Sequence, residues 1–209
     1  MAKLNAEVDT VTAARYRVES YPTILVLKPD GTEIDRLAGY YRAPEYMGLV
    51  EDYLAGRNTL ASLIAAESTL GQDPRFVERL ADRYYEHGLY PEARSRYERM
   101  LHLDPKNQTD LVDDALTSLA RLGRKSKDYP SERKYAQMVL DRFPESDQAK
   151  TALLQLADSY KRQESWTRAH EVYLDYTKKY PGDEDTPWAK EQADTMSARA
   201  ERAPGKRGA

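Results

Sequence analysis

The chain has 209 residues, 40% of them hydrophobic and 32% charged, with a formal charge of −3, three His and no Cys. That balance suits one or two folded domains and exerts no strong pull on nucleic acid or an anionic membrane. Without a cysteine the polypeptide cannot carry out thiol–disulfide exchange, and no apolar run approaches the roughly 20 residues of a membrane span.

Residues 1–56 open with Met1–Asn5, a fragment of strand, and Thr10–Tyr16, a short helix. Thr23-Ile24-Leu25-Val26-Leu27 is a continuous apolar, β-branched run and reads as a buried strand. Pro29-Asp30-Gly31 is turn chemistry, so Thr32–Ala38 is expected to pair back as a hairpin. After Gly39 a helix is predicted from Pro44 to about Ala55, with Tyr46, Met47, Val50, Tyr53 and Leu54 at helical spacing. That helix is the nearest cover for Val26, Leu27, Ile34 and Leu37.

Gly56-Arg57-Asn58 breaks the chain. Thr59 then caps a helix with Leu60, Leu63, Ile64 and Leu70 on one face, in a linker or capping segment over 57–72. Asp73-Pro74 is a second helix start, Asp as cap and Pro in the first turn.

From there three stretches, 79–105, 118–144 and 155–181, align without a gap over 27 residues each. Leu80, Leu119 and Leu156 correspond, each followed by alanine. Tyr84 and Tyr160 flank Gly123, and Ala93 and Ala169 flank Glu132. Tyr97, Ala136 and Tyr173 correspond, as do Met100, Val139 and Tyr176, and then Pro105, Pro144 and Pro181. Val77, Leu80, Ala81 and Tyr84 fall at i, i+3, i+4 and i+7, one face of a helix. A polar turn follows, then a second stripe, Ala93, Tyr97 and Met100. Each block is therefore a helical hairpin, with small alanines admitting close approach. The middle block departs at Gly123 and Glu132, so its helix pair is expected to be looser or its turn altered, and Gly123 to end its helix early. Thr186-Pro187 starts a last, alanine-rich helix to about Arg199 within 183–202, and residues 203–209 are expected to lack order.

The repeated positions resemble the tetratricopeptide repeat (TPR) family over residues 73–182, although the family repeat is about 34 residues, so short insertions are expected between blocks. The resemblance implies a mainly α fold, a solenoid of helical hairpins whose first helices line a concave protein-binding groove. The positions so placed are Glu78, Asp82 and Tyr85; Thr117, Arg121, Arg124 and Lys125; and Leu154, Asp158 and Lys161. A Lys/Asn carboxylate clamp known in some members is not matched, since Glu78 and Asp82 stand there. The Arg121, Arg124, Lys125 cluster reads either as a hydrated basic helix end that favours the helix dipole or as a site that takes an acidic segment by charge-assisted bonds.

Residues 1–56, read as helix, Tyr21-Pro22-Thr23 strand, Asp-Gly turn, strand, Gly39 and helix, resemble the C-terminal half of the thioredoxin family. The resemblance implies a cis bond before Pro22 and a small α/β remnant lacking the cysteine-bearing half. Ala2–Asn5 would be its third strand, left without a neighbour. The whole chain then resembles bacterial thioredoxin–TPR fusions, and the expectation is either that its start is internal to a longer protein or that residues 1–56 are a small hairpin-and-helix cap sealing the first repeat. The function this implies is non-enzymatic binding of protein or peptide segments, as an adaptor or holdase. A fragment of an oxidoreductase whose cysteines lie upstream is the alternative, and an envelope-assembly scaffold a third reading.

No catalytic constellation or Gly-rich phosphate loop is present in the sequence. His87, His102 and His170 lie at unrelated positions, so no metal or cofactor is expected, nor a nucleic-acid partner or membrane insertion. Oligomeric state and compartment stay open.

Overall fold

A computed structural model describes residues 3–5 and 7–202. The chain divides after Leu103 into two compact units.

The first unit begins with α1 (Thr10–Arg15), capped by Asp9, whose carboxylate accepts from the Thr12 amide at 2.9 Å. Ahead of it Lys3–Asn5 is not strand. The Asn5 side chain accepts from the Glu7 amide and the Asn5 carbonyl from the Val8 and Asp9 amides, so the chain turns straight into α1. The expected strand at Ala2–Asn5 is thereby corrected, with Ala2 outside the described residues. β1 (Thr23–Leu27) and β2 (Glu33–Ala38) pair antiparallel, Ile24 opposite Leu37 and Val26 opposite Asp35. Between them Asp30 accepts from the Thr32 amide at 2.8 Å, and Gly31 has φ +82, the left-handed region a side chain resists. The Tyr21–Pro22 peptide is cis, and the Gly39 amide donates to the Pro22 carbonyl at 2.9 Å.

α2 (Ala43–Leu54) covers one face of the hairpin. Val26, Leu37 and Tyr53 are buried together, with Ile24, Ile34, Tyr46 and Val50 packed around them. Leu27 escapes this cover: the ladder is irregular between Val26 and Leu27, and Leu27 stays 38% exposed. α3 (Leu60–Leu70) is capped by Thr59, which accepts from the Ser62 amide at 3.1 Å. Leu60 and Leu63 are buried and α3 packs on α4, but Ile64 and Leu70 are exposed, so only half of the expected apolar stripe is used. α4 (Pro74–Glu86) starts at the Asp73 cap with Pro74 in its first turn, and pairs with α5 (Tyr90–Leu103). Val77, Leu80, Ala81 and Tyr84 of α4 and Ala93, Tyr97 and Met100 of α5 are all buried.

The second unit holds α6 (Val112–Lys125), α7 (Tyr129–Arg142), α8 (Gln148–Arg162), α9 (Trp166–Lys179) and α10 (Thr186–Arg202), each packed on the next, with α8 also against α6. Ala157, Ala169, Tyr173, Tyr176, Ala189, Ala193 and Met196 form one buried cluster. The alanines let backbones approach, and the tyrosine rings fill the remaining space.

One turn geometry recurs in all three helical hairpins. The amides of Leu89, Asp128 and Ser165 donate to the carbonyls of Tyr84, Gly123 and Tyr160 at 2.8–2.9 Å. The residue before each donor has positive φ: Gly88 at +69, Lys127 at +58 and Glu164 at +56. The middle block thus keeps the common turn. Gly123 does not end α6, which continues to Lys125. A Cβ at Gly123 would meet the Glu132 backbone nitrogen at 2.6 Å, so the pair is tighter there than its neighbours' residues would allow, not looser.

Candidate protein-binding surfaces

On α4, Glu78, Asp82 and Tyr85 occupy one face at i, i+4 and i+7. Asp82 is exposed, and Glu78 and Tyr85 are half-buried. Asp82 accepts a hydrogen bond from the hydroxyl of Tyr97, the buried tyrosine of its own hairpin. The Tyr85 ring lies 5.5 Å from that of Tyr90. The third hairpin repeats the device: Asp158 accepts from the hydroxyl of buried Tyr173. Burial and the facing carboxylate push that hydroxyl's pKa up, so it stays a donor. These two aspartates therefore tie each hairpin's first helix to its second, besides facing outward.

In the second unit Thr117 is buried. Its carbonyl accepts from Gln155 of α8 at 3.3 Å, and it offers no open surface, contrary to expectation. Arg121 is half-buried, and Arg124 and Lys125 are exposed at the end of α6. On α8, Leu154 is half-buried, Asp158 also accepts from Arg162 at 3.3 Å, and the Lys161 ammonium donates to Gln192 of α10 at 2.7 Å. The carboxylate of Glu132, fully buried on α7, lies 3.4 Å from the Arg162 guanidinium. Burial pushes its pKa up, against the pull of Arg162 and Arg124.

A buried polar centre in the first unit was not foreseen. Asp35, on β2, is fully buried. One carboxylate oxygen takes Arg83, lies 2.8 Å from His87 Nε2 and accepts from the Arg36 amide at 2.7 Å. The other accepts from the Leu60 amide at 2.6 Å, at the α3 N-terminus. Arg83 also donates to the Arg36 carbonyl at 3.1 Å and to Glu86, and its guanidinium lies 4.9 Å from the Tyr53 ring. Arg36 in turn is held by Glu33 and by the Tyr16 carbonyl, each at 2.7 Å. Burial raises the Asp35 pKa, but His87, Arg83 and the two amides outweigh it and leave the carboxyl below its usual range. Glu86 goes the other way, pushed up to about 7 by burial, which Asp82 and Asp35 reinforce against Arg83. This centre fastens the hairpin to α4, with Asp35 itself closed off from solvent.

Elsewhere, Asp183 accepts from Lys150 at 2.8 Å, from the Tyr176 hydroxyl at 2.7 Å and from the Asp185 amide at 3.0 Å, and its carboxyl is held down at about 2 by those bonds. Asp183 of the acidic run is thus an internal tie, while Glu184 and Asp185 are exposed. Among the described residues no group of three or more His, Asp or Glu is placed to hold a metal, and no helix is long and apolar enough to cross a membrane.

These paired helices with a recurrent turn define a helical-repeat protein. Residues 151–183, spanning most of α8 and all of α9, match the tetratricopeptide repeat family model. Among solved structures, the MamA RS-1 ArsTM double mutant has a similar fold, with TM-score 0.53 at 15% identity over 77% of this chain and 95% of that one. The C-terminal TPR-containing domain of a Plasmodium falciparum FK506-binding protein aligns with TM-score 0.49 and 18% identity, over 63% of this chain and 93% of that one. No curated protein matches the chain.

Proposed function

We propose that the chain is a non-catalytic protein-interaction module, an adaptor or holdase that takes peptide segments of partner proteins on the outward faces of the first helices of its TPR-like hairpins. The observation that carries this is the recurrence of one hairpin and one turn, with residues that change at equivalent positions of α4, α6 and α8: Asp82, Arg121 and Asp158 at one, Tyr85, Arg124 and Lys161 at the next. A scaffold repeated with changing surface residues is the arrangement by which helical repeats recognise proteins. Residues 1–56 are read as a partial thioredoxin-like domain, supported by the order α1, β1, β2, Gly39, α2, and by the chain's lack of Cys as one without thiol chemistry. Residues 73–182 are read as the TPR-like repeats, the first hairpin in the first unit and the other two in the second, with 57–72 read as a linker or capping helix and 183–202 as a C-terminal capping helix.

The test is an immobilised peptide array probed with the purified chain, followed by hydrogen exchange on the bound complex. The expected result is selective capture of a peptide class and protection on α4, α6 or α8. Capture of none, or protection confined to residues outside these helices, would overturn the proposal.

A further inference from the structure

We infer that the C-terminal ends of α6 and α8 form a basic ledge that binds an acidic, extended polypeptide segment, its carboxylates taken by Arg121, Arg124, Lys125 and Lys127 on one side and by Lys161 on the other. This rests on the peptide-binding reading above and names the chemistry of its partner.

Residues 121–127 carry four cations and no acid. Arg124, Lys125 and Lys127 are exposed and Arg121 half-buried. A helix C-terminus favours cations, but that effect does not account for this concentration. The positions equivalent through the shared turn in the first hairpin are Asp82, Tyr85, Glu86 and Gly88, and α4 ends there stably with an acid in its last turn. The cations are a property of the middle hairpin's surface.

α8 lies against α6, joined by the Gln155–Thr117 bond, and its last turn adds Lys161 and Arg162. Two carboxylates of α7 and α8 are turned toward the molecule itself. Asp158 receives Tyr173 and Arg162, and Glu132 is buried beside Arg162. Packed helices lie about 8–10 Å apart. An extended chain rises about 3.3 Å per residue, so acids about three residues apart reach both helices at once.

A nucleic acid fits less well. The whole chain carries −3, which opposes a long polyanion. Of the rings that could stack bases, Tyr160 is covered by Arg133 and Arg168 and Trp166 by Arg199.

The experiment uses the full chain and fluorescence anisotropy with three dye-labelled probes. One is a peptide with Glu at every third residue, one the same peptide with Gln for Glu, and one an oligothymidylate of equal charge. The acidic peptide is expected to bind about tenfold or more tightly than its amide counterpart and to weaken with added salt. Arg124→Glu/Lys125→Glu, at exposed positions, should lose about tenfold with helix content unchanged, while Lys178→Glu, an exposed cation on α9, should not. Equal binding of the amide peptide, undiminished binding by the double variant, or tighter binding of the oligonucleotide overturns the ledge. If neutral peptides on an array bind and acidic ones do not, the ledge falls and the interaction module stands. If no peptide of any composition binds, both fall.

Discussion

Gly123 and Glu132 face each other across α6 and α7 so closely that a Cβ on Gly123 would stand 2.6 Å from the Glu132 backbone nitrogen. The two departures of the middle hairpin are one adjustment: loss of the side chain on α6 lets α7 approach, and Glu132 is carried fully buried beside Arg162 of the next hairpin.

Gly123→Ala is expected to destabilise the second unit by about 1–3 kcal/mol, because overpacking against backbone outweighs the up to ~1 kcal/mol that alanine gains in a helix interior. Urea unfolding of the variant against the parent measures it. A stabilised variant would show that α6 and α7 are not in contact there.

Glu164→Gly should raise stability by up to about 1 kcal/mol, since a side chain at positive φ costs about 1–2 kcal/mol and glycine returns part of that as chain entropy. Glu164 holds φ +56 where the first hairpin has Gly88. The thermal midpoint is the readout, with Gly88→Ala expected to move it down.

Tyr97→Phe and Tyr173→Phe each remove a hydroxyl donated to an aspartate of the same hairpin, Asp82 and Asp158. Hydrogen bonds to charged groups contribute about 1.5–3 kcal/mol, and the losses should add, the two sites lying in separate units. Urea unfolding of the two single variants and the double variant tests both points.

The charged centre under the β-hairpin makes stability depend on pH in two windows of opposite sign. Glu86 titrates at about 7 in the folded chain against 4.5 ordinarily. Below pH 4.5 it is protonated folded and unfolded alike. Between 4.5 and 7 only the unfolded chain releases the proton, so stability falls with rising pH, by about 3 kcal/mol, and is level above. Glu86→Gln should flatten that slope. Asp35 is held below its ordinary 3.8, so its contribution is present above that value and lost only as pH falls through the folded pKa. Stability measured from pH 4.5 to 8 with parent and variant decides the matter, and an unchanged slope would remove Glu86 as its origin.

Asp35→Asn removes one of the two carboxylates that hold buried Arg83, Glu86 being the other, and should cost about 3 kcal/mol, read as loss of hydrogen-exchange protection in β1 and β2.

The helical hairpins were legible because apolar spacing repeats in register: Leu80, Leu119 and Leu156 are all buried as their helix faces require. Helix starts at Asp73 and Thr59 were legible for a similar reason, a short-range cap being written in adjacent residues. Gly123 was visible as an exception but misread, since glycine in a helix signals either an end or a close approach and only the facing backbone decides. The left-handed turn residues Lys127 and Glu164 left no trace, because neither type announces positive φ. Nor could the polar centre be read: Asp35 and His87 are 52 residues apart, and each looks like an ordinary surface charge until the hairpin covers Arg83. The surface candidates on α4, α6 and α8 were expected from the resemblance to the tetratricopeptide repeat family, while the bonds from Tyr97 to Asp82 and from Tyr173 to Asp158 join different helices and left no trace in the sequence.

Helical repeats are often treated as interchangeable bricks, but the fastening of Asp35 to Arg83 and His87 makes the first one here bespoke. Swapping α4 and α5 for a generic hairpin would strand a desolvated carboxylate beneath β2, so any graft must bring the arginine and histidine along or replace Asp35 with an apolar residue at the same time.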